Sequence, residues 1–137
     1  MDKDKLFLSY LADRKINLLK AIEKAKDARD NAPSATESHS DTRRSQAEKL
    51  VVALEIELNN IQKVEDNPQD IKLVYFEMTI NSNLNKFLLV PSGMGGAELN
   101  GIRFLSEDTP LGSELKSKNT GDEFDFNGQK VAILKVE

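Results

Sequence analysis

The amino-acid sequence predicts an α+β fold: an N-terminal antiparallel α-helical hairpin of coiled-coil type, then a small antiparallel β domain with one short helix. Three observations carry this expectation. Apolar residues recur at helical spacing through residues 4–30 and again through 42–65, either side of a polar break. After Pro68 the apolar period changes to two. Near the end, Asn127-Gly128 falls between two alternating patterns, a strong hairpin signal.

In the first segment Leu8, Leu11, Leu18, Ile22 and Ala25 form the stripe, with Lys15 in one seam position and Leu6, Ile16 and Leu19 widening it. Residues 31–41 (Asn-Ala-Pro-Ser-Ala-Thr-Glu-Ser-His-Ser-Asp) interrupt it, because Pro33 cannot continue a helix interior. Ser40 or Asp41 is a suitable N-cap for the next helix. Its stripe is Ala47, Leu50, Leu54, Leu58 and Ile61, with Val51 and Val64 beside it. Two helices of similar length with a short connection favour an antiparallel pair. The hairpin is therefore assigned to residues 1–67 and the β domain to 68–137.

In the second part, Val74, Phe76, Met78 and Ile80 alternate with Leu73, Tyr75, Glu77 and Thr79. A turn at 81–85 leads to the apolar run 86–90, a glycine-rich loop at 91–96 and a short strand at 102–105. Thr109-Pro110 reads as a helix start, with Thr109 as cap and Pro110 at the first helical position. Phe124 and Phe126, then Val131, Ile133 and Val136, flank the Asn-Gly turn. The expected sheet has four or five antiparallel strands.

Composition narrows the function. Of 137 residues, 39% are hydrophobic and 31% charged, which suits a hairpin whose helices each bury one stripe. Residues 1–67 hold 12 Lys/Arg against 13 Asp/Glu, and residues 68–137 hold 7 against 10. Neither part is the basic surface that independent nucleic-acid binding requires, so a protein partner is expected. The absence of cysteine excludes disulfides, thiolate nucleophiles and Cys-based zinc sites. A single histidine, His39, excludes a multi-His metal site. Gly93-Met94-Gly95-Gly96 lacks the Lys-Ser/Thr ending of a phosphate loop and reads as a flexible turn. No apolar run reaches the length of a membrane span, and the polar start (Met1-Asp2-Lys3-Asp4-Lys5) lacks the core of a signal peptide. A cytoplasmic protein without an enzymatic site of its own is expected.

The stretch Ser106-Glu107-Asp108-Thr109-Pro110-Leu111-Gly112, followed by Leu115, Gly121-Asp122-Glu123-Phe124 and Val131-Ala132-Ile133-Leu134-Lys135-Val136, resembles the C-terminal domain of the bacterial Gre transcript-cleavage factors (GreA and GreB). In that family a Ser-Pro-Leu/Ile-Gly-like turn opens a short helix, a Gly-Asp starts the terminal hairpin, and the chain ends on an Ile-rich strand. The order of parts, helical hairpin first and FKBP-like sheet domain second, resembles the family as well. The matching residues lie in about the last quarter of the chain.

The resemblance implies a transcription elongation factor that binds RNA polymerase. The sheet domain would dock on the rim of the secondary channel, with Asp108, Thr109 and Pro110 at the docking edge. The hairpin would enter the channel, and its tip acids would help to hold Mg²⁺ shared with the polymerase active site, so that the polymerase cleaves backtracked RNA. The factor itself would bind no cofactor tightly. Mg²⁺ commonly takes one or two protein carboxylates plus water and phosphate oxygens. The candidates here are Glu37 and Asp41, with Arg43 and Arg44 as basic tip residues. The family's acidic tip pattern (Gly-Asp-Leu-x-Glu-Asn-Ala-Glu-Tyr-like) is replaced by Ala35-Thr36-Glu37-Ser38-His39-Ser40-Asp41-Thr42, so stimulation of cleavage and modulation without cleavage both stay open. Read blandly, Glu37 is a solvated loop acid, Asp41 a helix cap, His39 an exposed histidine, and Asp122 and Asp125 surface acids of the hairpin. Two further functions compete: a hairpin adaptor that self-associates, as a homodimer, into a four-helix bundle, and an FKBP-like prolyl isomerase. The second would need an aromatic-lined pocket, and the chain has six Phe, two Tyr and no Trp.

Overall fold

The computed structural model describes residues 2–31 and 38–137, apart from the side chains of residues 38–43. The chain divides into two compact units, Lys5–Pro68 and a second made of Met1–Asp4 with Gln69–Glu137.

The first unit holds α2 (Ser38–Asp66) and all of α1 (Lys3–Asp30) except its first two residues, Lys3 and Asp4, which belong to the second unit. At 1.5 Å per residue their 28 and 29 residues span about 42 and 43 Å. In α1 the buried residues are Phe7, Leu11, Leu18, Ile22 and Ala25. In α2, Ala47, Val51 and Ile61 are buried and Leu54 and Leu58 half-buried, a four-three-four-three spacing. Two details differ from the expected stripes. Val51 is 4% exposed and takes the place expected for Leu50, which is 51% exposed. Leu50 stands one residue, about 100° of helix, off the strict spacing and falls on the flank. Likewise Phe7, a turn before Leu11, is buried, whereas Leu8 is half-buried and Ile16 and Leu19 are exposed.

Cross-helix pairs confirm the antiparallel direction, since rising numbers on α1 meet falling numbers on α2. Lys15 Nζ donates to Gln62 Oε1 at 2.7 Å and to Glu65 Oε1 at 3.1 Å, and Lys26 Nζ lies 3.7 Å from Glu55. The more exposed pairs, Lys26–Glu55 and Arg14–Glu57, contribute a few tenths of a kcal/mol at most. Lys15 is more enclosed and sits in the seam, where a polar residue fixes register at some cost in stability. The second helix starts at Ser38, so Ser40 and Asp41 lie inside it rather than capping it. At its other end Asn67 N and Nδ2 both donate to the Lys63 carbonyl, and Pro68 prevents continuation.

The second unit is built on one sheet: β1 (Val74–Ile80), β2 (Asn83–Val90), β3 (Glu98–Leu99), β4 (Ile102–Ser106), β5 (Glu123–Phe126) and β6 (Gln129–Val136), with α3 (Pro110–Leu115) between β4 and β5. The strand order is β3-β4-β2-β1-β6-β5. All neighbours are antiparallel except β2 and β4, which run parallel in the register Phe87↔Arg103 to Val90↔Ser106. The sheet is thus six-stranded and mixed rather than purely antiparallel. Its additional strand is β3, which doubles back through Asn100-Gly101 (φ 54° and 76°) and so delivers β4 in the direction of β2. Alternation within a strand carries no information about the direction of its neighbour.

One face of the sheet packs Phe76, Met78, Phe87, Leu89, Val131 and Ile133 against Leu115 of α3. Leu111, Phe124 and Phe126 close the margin. Fully burying side chains of this size contributes about 1.5–3 kcal/mol each. The opposite face carries Tyr75, Leu88, Val90, Ile102 and Phe104, also buried.

Candidate functional site

The turn from Ser106 to Gly112 is built from its residue types upward. β4 ends at Ser106, the buried polar residue of this unit's core. Its Oγ accepts the Gly95 amide at 2.7 Å. Its carbonyl accepts the Thr109 hydroxyl at 2.8 Å and the Thr109 amide at 3.2 Å. Thr109, extended at φ −74° and ψ 159°, caps α3: its Oγ1 accepts the Gly112 amide at 3.0 Å, and Pro110 occupies the first turn, where no amide is needed. The Glu107 amide donates to the Val90 carbonyl at 2.9 Å, tying the turn to the sheet.

Two glycines are required by space. A Cβ on Gly112 would stand 2.2 Å from the Ser106 carbonyl oxygen, and one on Gly95 would stand 2.4 Å from the Ser106 amide nitrogen. The loop at 91–96, expected as a flexible turn, is tied to the sheet by hydrogen bonds and by the close approach of Gly95 to Ser106. The Met94 amide donates to the Pro91 carbonyl at 3.1 Å and the Gly96 amide to the Phe104 carbonyl at 2.8 Å. The role of Ser106 and Gly95 was not read from the sequence, because a close approach between distant segments leaves no local pattern.

Of the three docking candidates, Thr109 is engaged in the cap and half-buried, whereas Asp108 and Pro110 are exposed. A partner meeting this turn would touch the Asp108 carboxylate and the Pro110 ring. Of the tip candidates, Glu37 lies outside the described residues. Asp41 and Arg43 lie in the first turns of α2, with side chains outside the description, as is that of His39. Arg44 is described and exposed. The pairing of Glu37 with Asp41 around a metal therefore falls outside the described residues. Among the described residues no three His, Asp or Glu converge as a metal-binding group, and no helix is long and apolar enough to cross a membrane.

A second polar cluster closes the end of the sheet. Tyr75 and Glu137 exchange backbone hydrogen bonds at 3.0 and 2.9 Å, and Lys3 Nζ donates to the Glu137 carbonyl at 2.8 Å. The Tyr75 hydroxyl donates to Glu77 Oε1 at 2.8 Å. Burial first, and the Glu77 carboxylate second, push the Tyr75 hydroxyl up to about 12.

No family model matches the chain, and no curated protein matches it at a significant level. Among solved structures it is similar to the GreA factor homolog 1 (Gfh1) protein of Thermus thermophilus, at 10% identity and a TM-score of 0.42, covering 95% of this chain and 94% of that one. Overlap at that level does not assign a family or a function.

Proposed function

We propose that the chain is a Gre-like transcription factor that binds RNA polymerase, with the Ser106–Gly112 turn as a docking element and the α1–α2 hairpin as the part that enters the secondary channel. The observation that supports this most is the agreement between resemblance and geometry in one turn. Thr109, Pro110 and Gly112, which carry the resemblance, are the cap, the first-turn proline and the glycine with no room for a side chain. They shape a turn that presents Asp108 and Pro110 outward. Helices of about 42 Å give the hairpin a reach that a globular domain lacks in a narrow pore.

In this reading the chain contributes no catalytic group of its own. Glu37 and Asp41 would supply carboxylate oxygens to an Mg²⁺ shared with the polymerase, a ligand type that suits this cation. The test is co-sedimentation with a bacterial RNA polymerase, followed by transcript cleavage in a backtracked complex. Binding weakened by Asp108→Lys, with cleavage lost in Glu37→Ala/Asp41→Ala, is expected of a cleavage factor. Binding with no effect on cleavage identifies a modulatory relative, and no binding overturns the proposal.

The half-exposed Ile16, Leu19, Val52 and Ile56 favour one second reading, a hairpin that self-associates. Sedimentation velocity distinguishes it, since that reading requires a stable dimer at micromolar concentration.

A further inference from the structure

We infer that the free edge of β5 takes an extended cationic segment of a partner protein as an added strand. β5 is the outermost strand and pairs with β6 alone. Asn127 and Gly128 (φ 50° and 78°) form a two-residue turn that brings Phe126 opposite Gln129. In such a turn the closing pair is hydrogen-bonded, so by alternation Phe126 and Phe124 direct their backbone groups to β6. Glu123 and Asp125 direct theirs outward, leaving two N–H and two C=O groups open. The strand is held at its start too, because the Gly121 amide donates to the Ile133 carbonyl at 2.9 Å and the Ile133 amide to the Asp122 carbonyl at 2.8 Å. The other edge, β3, has two residues and is too short to template a strand.

The side chains select the occupant. Glu123 and Asp125 are exposed on one face, two residues apart, while Phe124 and Phe126 on the other are half-buried against the core. Neither carboxylate belongs to an ion pair among the described residues, although Lys130 stands opposite Asp125 in the β6 register. Two copies pairing β5 to β5 would set these acids against each other, which is destabilising. A strand alternating Lys or Arg with apolar residues would set cations against Glu123 and Asp125 and apolar groups beside the phenylalanines. That is strand addition, with backbone bonds giving affinity and alternate side chains giving selection.

The test uses the full chain, ¹⁵N-labelled, and two short synthetic probes: an alternating lysine–valine peptide and its glutamate–valine counterpart. The expected result is movement of the Glu123 and Asp125 amide signals with the lysine peptide alone, and about fivefold or greater slowing of their hydrogen exchange. A lysine peptide N-methylated on every residue, with no amide left to pair on either edge, should have no such effect, and Glu123→Lys/Asp125→Lys should transfer the response to the glutamate peptide. An equal effect of the N-methylated peptide, signals that move only elsewhere, or no response at millimolar peptide would overturn the inference. So would a dimer in which β5 pairs with itself.

Discussion

Replacing Gly112 by alanine separates the packing of the turn from helix propensity, because the two predict opposite signs. In an unconstrained helix position, Gly→Ala stabilises by up to about 1 kcal/mol. At this position the new methyl would stand 2.2 Å from the Ser106 carbonyl oxygen and 2.9 Å from Thr109 Oγ1, where ordinary contact begins at 3.4 Å. The first obstacle is backbone, so α3 itself has to retreat by about 1 Å. That movement stretches the Thr109 cap, worth about 1 kcal/mol, and draws Leu115 out of the core cluster, an overpacking response worth about 1–3 kcal/mol. Subtracting the propensity gain leaves a net loss of about 1–3 kcal/mol. Native-state hydrogen exchange at the Leu88 amide, in the inner strand β2 of the sheet, reads this without interference from the hairpin. Exchange through global opening should be roughly 5- to 150-fold faster in the variant. Unchanged or slower exchange would refute the close approach of Gly112 to Ser106.

Thr109→Ala should cost about 1 kcal/mol by removing the cap hydroxyl, and Thr109→Ser should restore most of it, as read by the same amide. Lys15→Ala should lower the thermal midpoint of the hairpin, at a cost of about 1 kcal/mol for two hydrogen bonds to charged or polar partners, whereas Lys26→Ala should change it little. Equal effects of the two would deny Lys15 its place in the seam. For Tyr75 the folded value, about 12, lies above the unfolded value near 10, so the stabilisation from the neutral hydroxyl is complete below about pH 10 and is lost as pH rises toward 12. Stability of the sheet unit should therefore decline through that window and decline less in Tyr75→Phe. Matching profiles would count against ionisation of the buried Tyr75 hydroxyl as its source.

Much of the architecture is legible because it rests on local rules. The spacing of Leu11, Leu18, Ile22 and Ala25 marks the α1 seam, and the alternation through 73–80 marks the position of β1 (Val74–Ile80). Asn127-Gly128 and Thr109-Pro110 perform the turn and cap that their chemistry requires. The parallel pairing of β2 with β4 was not legible, since alternation is blind to direction. Asn100-Gly101 was a usable signal for the β3–β4 hairpin, and it was masked by the brevity of β3. The choice of Val51 over Leu50 depends on a strict heptad that a looser count of apolar residues blurs. At the candidate site, the cap could be read from sequence, but the convergence of Gly95, Ser106 and Gly112 could not, because it joins three segments across the fold.

The measurement that bears most directly on the central proposal is transcript cleavage in a stalled, backtracked RNA polymerase complex, run beside a binding assay on the same preparation. A polymerase-binding factor predicts a saturable complex that Asp108→Lys weakens, with a cleavage or pausing response that Glu37→Ala/Asp41→Ala alters. Failure of the folded wild-type chain to bind polymerase at low ionic strength would contradict it.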